Sequence, residues 1–222
     1  MKMRLPKNSE LIDENTVAFY TFNGNYNDSC GRYNLDNQDG RAAYYIDNGV
    51  GSKAIYGISR LRNYSLNYIF KTTHTIDFVA NIRKNGYRTP DRFGLYCGIF
   101  TAGDSSSGFQ IYNNNIYYGS LQYDITNYMN YYHHYTVTKI NNNVTLFIDG
   151  IKLTTGIVNT TGNYMYIYGS TVDNGYPNDF CYLYNLRFSN IIRWTEDFIS
   201  PYDIKMLEKH IIENEDNIYG MI

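Results

Sequence analysis

The sequence predicts an all-β protein, an antiparallel two-sheet β-sandwich of the jelly-roll kind, closed by a short C-terminal α-helix. Three observations lead there. Asn-Gly and Asp-Gly pairs recur at Asn23-Gly24, Asp39-Gly40, Asn48-Gly49, Asn85-Gly86, Asp149-Gly150 and Asn174-Gly175, and these residues tolerate the positive φ that tight turns need. Between the turns run short segments of alternating apolar and polar residues, the period of a half-buried strand. The chain is also 17% aromatic, with 26 Tyr, 11 Phe and only 4 Pro, and flat rings pack well on a pleated surface.

Taken in order, residues 1–15 are polar apart from Leu11 and Ile12 and form an N-terminal arm or tether. Strands are expected at Val17 to Phe22, Ala43 to Asp47, Ala54 to Tyr56 and Thr75 to Arg83, the last with Ile76, Phe78, Ala80 and Ile82 on its inward face. Phe93 to Thr101, Gly108 to Tyr112 and Ile116 to Leu121 follow, and Met165 to Gly169 and Phe180 to Phe188 close the series. Between them, Tyr131 to Leu153 encodes three strands joined by Asn141-Asn142-Asn143 and Asp149-Gly150, a meander. The sandwich therefore spans 16–200. Ser200-Pro201-Tyr202-Asp203 has a capping Ser, Pro at the first helical position and an acid three residues on. Ile204, Leu207 and Ile211 then repeat at helical spacing. Residues 201–222 are accordingly an amphipathic helix of about three turns and a tail.

Composition excludes several classes. A net charge of −2 without a Lys/Arg cluster is unsuited to nucleic acid, where phosphate contact demands concentrated positive charge. The richest basic stretch, Arg83-Lys84 to Arg92, is broken up as a solvated loop is. No apolar run has the length of a secretory signal core or a membrane span, so synthesis in a cytoplasm without secretion or membrane insertion is expected. Cys30, Cys97 and Cys181 are odd in number and irregularly spaced, which argues for free buried thiols.

The segment Tyr132-His133-His134-Tyr135-Thr136-Val137-Thr138, followed by Leu146-Phe147-Ile148-Asp149-Gly150, resembles the W-H-H-V-A-V-T…L-Y-V-D-G signature of laminin G-like domains in the concanavalin A-like superfamily, with Tyr132 replacing Trp. Val17 to Ser29 is similar to that family's opening strand and polar loop. Phe180 to Ser189 with Arg193-Trp194-Thr195 is similar to the closing strand and tail of the versions in phage tail and virion proteins. The resemblance implies the jelly-roll fold and non-enzymatic recognition. It also implies a place in a phage particle, as tail fibre, baseplate or capsid-decorating component. The expected partners are host cell-surface polysaccharide and other virion proteins, with many copies or a homo-oligomer in an assembly.

Candidate chemistry is sparse. Family glucanases carry an E-x-D-x-x-E strand, and glycoside hydrolysis needs two carboxylates roughly 5 to 10 Å apart; here no Glu lies between Asn15 and Thr195. No catalytic residue is assigned, and a divergent glycosidase is the least favoured alternative. Relatives hold a structural calcium ion near the opening loop, where Asn23, Asn25, Asn27 and Asp28 offer oxygens. The alternative is an Asx-rich turn that satisfies its own backbone. The closing strand reads Leu183-Tyr184-Asn185-Leu186-Arg187 in place of I-D-E-V/F-R, without the family's carboxylates. Of His133 and His134, adjacent on a strand, one should be buried and the other exposed on the opposite face.

The remaining resource is a Tyr and Asn surface. Rings stack on the C–H faces of sugars while amides and hydroxyls take their OH groups. Tyr112, Asn113, Asn115, Tyr117, Tyr118, Tyr123 and Tyr128 are the candidate carbohydrate-binding residues. Protein contacts or plain packing would use the same residues, which leaves an architectural virion protein as the alternative.

Overall fold

The computed structural model describes residues 8–37, 44–47, 53–56, 61–83, 97–101, 109–112, 114–159, 165–169 and 181–202. After a helical turn, α1 (Asn8–Leu11), come β1 (Thr16–Tyr20), β2 (Asp36–Asn37), β3 (Tyr44–Asp47), β4 (Lys53–Tyr56) and β5 (Leu61–Asn63). A 3₁₀ segment (Ser65–Lys71) leads into β6 (His74–Ile82), β7 (Cys97–Thr101), β8 (Phe109–Tyr112), β9 (Asn115–Tyr118) and β10 (Leu121–Asp124). Thr126–Tyr128 is a second 3₁₀ turn. It leads to β11 (Tyr132–Ile140), β12 (Asn143–Ile148), β13 (Ile151–Ile157), β14 (Met165–Gly169) and β15 (Cys181–Ser189).

The strands form two sheets. The first runs β13-β12-β11-β6-β15-β4-β3, with β1 also paired to β15, and the second runs β10-β9-β8-β7-β14-β5-β2. Every recorded pairing is antiparallel. The sandwich is thus as expected. One strand is corrected: Ile116 to Leu121 is two strands, β9 and β10, because Gly119 at φ +61 turns the chain back between Tyr118 and Leu121. A second reason fixes glycine there. A Cβ would lie 2.2 Å from the carbonyl oxygen of Ile157, where this turn closes over the edge strand β13.

The predicted Asp149-Gly150 turn has φ of +52 and +84, as a type I′ hairpin requires. It sets Ile148 opposite Ile151 and, one strand over, Tyr135 opposite Ile148. Alternation then decides burial. Ile76, Phe78, Ala80 and Ile82 face the intersheet core, with Phe78 stacked on Tyr135 at 5.3 Å and edge-on to Phe109 at 5.2 Å.

The opposite face of β6 is buried as well, which a solvent-facing sheet would not require. The described part of the N-terminal arm and the segment after the last strand cover it. Leu11 of the N-terminal arm and Tyr202 beyond the last strand pack with Phe19, Val79, Tyr132 and Tyr184 in a second, smaller cluster. The arm is therefore docked over its described part. The predicted C-terminal helix lies outside the described residues from 203 onward.

Candidate functional site

Hairpin register builds the first candidate site on the outer face of the second sheet. Pairing of β8, β9 and β10 places Gln110, Tyr117 and Gln122 side by side across three strands. Asn115 sits one row along, opposite Asp124. In β9 the buried positions are Ile116 and Tyr118, so Asn115 and Tyr117 face outward. The Gln122 side-chain amide donates to Asn115 Oδ1 at 3.3 Å and reaches the Tyr117 hydroxyl at 3.5 Å. Gln110 is 9% exposed, and its side-chain nitrogen is buried without a hydrogen-bond partner. The row offers one phenol ring flanked by planar amides, which is chemistry for a hydroxyl-rich ligand lying across strands.

The candidate residues divide four ways. Asn115 and Tyr117 share this face. Tyr118 points the other way and is fully buried, so as a sugar contact it is corrected to a core residue; the strand period that exposes Tyr117 buries its neighbour. Tyr112 contributes backbone to β8 and its side chain, like all of Asn113, lies outside the described residues. Gln110 and Gln122 were missed by sequence reasoning. The turn between β8 and β9 sets the register that brings Gln110 beside Tyr117, and the turn at Gly119 brings Gln122; only the first had a signal in the sequence.

Tyr123 and Tyr128 meet elsewhere, where the chain crosses from β10 to β11. Their rings are 6.4 Å apart, and Tyr128 presents an edge to His133 at 5.2 Å. His133 Nδ1 lies 2.6 Å from Asp149 Oδ2, and Asp149 Oδ1 accepts the His134 backbone N–H at 2.8 Å. Burial, followed by a hydrogen bond to Tyr123, pushes the Tyr128 hydroxyl above its ordinary range. The two histidines take opposite faces as expected, but neither is exposed: His133 keeps only 15% of its side chain open and His134 none.

His134 belongs to a buried network on the outer face of the first sheet. Its Nδ1 is 3.0 Å from Ser200 Oγ, and its Nε2 is 3.4 Å from Asp77 Oδ1 and 3.2 Å from Thr136 Oγ1. This is a Ser-His-Asp chain that spacing could not reveal. Its Asp, however, is held at 2.9 and 3.1 Å by Arg187 in a bidentate pair and accepts the Tyr202 hydroxyl at 3.2 Å. Its Ser accepts the Tyr202 backbone N–H within its own turn. Burial alone would raise the Asp77 carboxyl, but the Arg187 guanidinium and His134 bring it down to about 2. Arg187 also donates to the Leu11 carbonyl at 2.8 Å. The arrangement fastens Leu11 of the arm and the segment from Ser200 to Tyr202 to the sheet.

Asn23, Asn25 and Asp28 were the candidate calcium ligands. Asp28 is 4% exposed. One of its oxygens accepts the N–H groups of Phe19 and Cys30 and the other those of Arg32 and Tyr33, at 2.9 to 3.0 Å. Asn25 Oδ1 accepts the Asn27 N–H. Asp28 is thus corrected from ion ligand to loop anchor: four backbone donors fill the carboxylate's acceptor sites. Among the described residues no group of three or more His, Cys, Asp or Glu is placed to hold a metal ion.

The chain matches no family model and no curated protein. Solved structures do resemble it. Domain 4 of an extracellular arabinanase from Geobacillus stearothermophilus, in complex with arabinotriose, aligns over 87% of this chain and 98% of its own length, with 16% identity and a TM-score of 0.51. The binding domain of Paraclostridial Mosquitocidal Protein 1 aligns over 88% of this chain at 17% identity and a TM-score of 0.60, and Trypanosoma rangeli sialidase over 91% at 13% and 0.55. The chain spans 51% and 33% of those two structures. At these identities the likeness is one of fold, a β-sandwich.

Proposed function

We propose that this chain is a non-enzymatic, lectin-like recognition domain that binds a neutral glycan on the outer face of its second sheet. The observation that carries the reading is the register-matched row of Gln110, Tyr117 and Gln122, with Asn115 hydrogen-bonded to it. A flat row of this kind suits the side of an extended saccharide. Its amides give and accept hydrogen bonds with sugar hydroxyls while the ring covers an apolar sugar face. Arabinotriose in the similar arabinanase domain supports a saccharide as the ligand class. The setting we propose, a multi-copy component of a phage particle facing host polysaccharide, rests on the resemblance of the closing segment. Display in many copies would multiply weak single-site affinity.

A screen of the purified protein against host cell-wall polysaccharides and a glycan array, with and without calcium chelation, tests the reading. Saturable binding that drops about tenfold or more in Tyr117→Ala supports it. Silence across the screen from a folded sample shifts the assignment to an architectural protein.

A further inference from the structure

We propose that Asp124 sets the charge selectivity of the outer row: its carboxylate takes a hydroxyl of the sugar stacked on Tyr117 and turns away saccharides that carry carboxylates of their own. This deepens the glycan reading above and rests on it.

The row by itself does not choose. A phenol ring and planar amides serve neutral and acidic sugars alike, because amides donate as well as accept. A fixed charge beside them decides. Pairing of β9 with β10 sets Gln122 opposite Tyr117 and Asp124 opposite Asn115. Residues two apart on a strand share a face, so Asp124 joins Asn115, Tyr117 and Gln122 on the outer side of the sheet, diagonal to Tyr117. Diagonal neighbours across antiparallel strands lie about 7–8 Å apart, a separation that one sugar ring bridges.

Asp124 is also open, oriented and uncompensated. Gln122 and Asp124 are the exposed positions of β10, so a ligand lying on this face meets the carboxylate directly. Asp124 Oδ1 accepts the Thr126 N–H at 2.8 Å and the Thr126 hydroxyl at 2.6 Å, which holds the group in one orientation. Those two bonds keep its carboxyl below the ordinary carboxylate range, and it is ionised at neutral pH. Among the described residues Oδ2 accepts no hydrogen bond, and no Lys, Arg or His pairs with the charge. Asn115 Oδ1 and the Tyr117 hydroxyl, by contrast, already share the Gln122 amide. Oδ2 is therefore the open acceptor of the face. A sugar hydroxyl that reaches it makes a charge-assisted bond, about twice as strong as one to a neutral acceptor. A sugar carboxylate in the same place adds a like charge at roughly 5 Å, which lowers affinity several-fold at low salt.

Holding the Thr126 N–H in a turn accounts for Oδ1 alone. Asn makes the same turn, so Asp124→Asn removes the charge and keeps the backbone contact. Binding of arabinotriose, cellotriose, galactotriose and trigalacturonic acid to the full chain and to Asp124→Asn is measured by calorimetric titration at about 20 and about 500 mM NaCl, which brackets weak and strong screening. At least one neutral trisaccharide should bind the parent more tightly than trigalacturonic acid does. Asp124→Asn should weaken that neutral ligand about three- to tenfold and strengthen trigalacturonic acid about threefold, the second effect at low salt only. Neutral binding that is lost in Tyr117→Ala but indifferent to Asp124→Asn overturns this inference and leaves the glycan reading standing. Trigalacturonic acid bound by the parent as tightly as the neutral sugars overturns it too. If no trisaccharide binds, or binding is unchanged in Tyr117→Ala, the outer-row reading falls and this inference falls with it.

Discussion

Replacing Asp77 by Asn tests the clamp that fastens Leu11 and Tyr202 to the first sheet. Asp77 is fully buried and Arg187 is 3% exposed, and their two hydrogen bonds leave the guanidinium one further anchor, the Leu11 carbonyl. Asn keeps the shape but removes the charge, which strands a buried cation. Breaking one half of such a pair costs roughly 3–5 kcal/mol. For a chain of 222 residues, with an unfolding entropy of about 2.1 cal/mol/K per residue, this lowers Tm by about 6–11 °C. Pairing Asp77→Asn with Arg187→Met removes both charges and should restore at least half of the loss. The pH dependence is a second signature. The folded Asp77 carboxyl is depressed to about 2 from 3.8, so its contribution is complete above the ordinary carboxylate range. It vanishes as pH falls toward 2, amounting to about 2 kcal/mol. Urea melts at pH 7, 5, 4 and 3 measure both effects. A cost below about 1 kcal/mol for Asp77→Asn at pH 7, or an acid slope identical to the parent's, would refute the clamp.

Other expectations follow from single contacts. Burial lowers the fully buried His74 from 6.5 to about 4; the unfolded chain therefore takes up a proton that the native protein refuses in that window. Stability should fall by about 3 kcal/mol as pH drops through it, and His74→Leu should flatten that part of the curve. Asp28→Asn turns an amide toward two of the four N–H groups the carboxylate serves. A loss of about 2 kcal/mol is expected in thermal melts, equal with and without EDTA, and a loss seen only without EDTA would restore the ion-ligand role. Gly119→Ala forces a Cβ to 2.2 Å from the Ile157 carbonyl at positive φ and should cost about 2 kcal/mol or more by urea melt. Tyr117→Ala, on the outward face, should leave the melt within about 0.5 kcal/mol while reducing glycan binding, which separates binding from folding.

Much of the fold was legible because its signals are local. The Asp149-Gly150 turn, with φ of +52 and +84, and the period-2 burial of Ile76, Phe78, Ala80 and Ile82 each depend on a few neighbouring residues. The split of Ile116 to Leu121 was not legible, since Tyr118-Gly119-Ser120 lacks an Asn-Gly or Asp-Gly pair and the turn is stabilised by Ile157 from a distant strand. The same limit applied to the site. Asn115 and Tyr117 could be proposed from composition, but their partners Gln110 and Gln122 arrive through strand register. Strand period, applied strictly, would have sent Tyr118 inward.

By itself the sequence determined strand content, the principal turns and a neutral surface rich in Tyr and Asn, because these follow from backbone sterics and side-chain chemistry along the chain. Tertiary structure alone decided which polar groups meet. Asp77 and Arg187 are 110 residues apart, and His133 and Asp149 are 16 apart. The role of Asp28 as a loop anchor comes from four backbone N–H groups that only folding gathers around it. Hydrogen bonds act over about 3 Å, so the spatial neighbour, and not the sequence neighbour, gives each polar side chain its role.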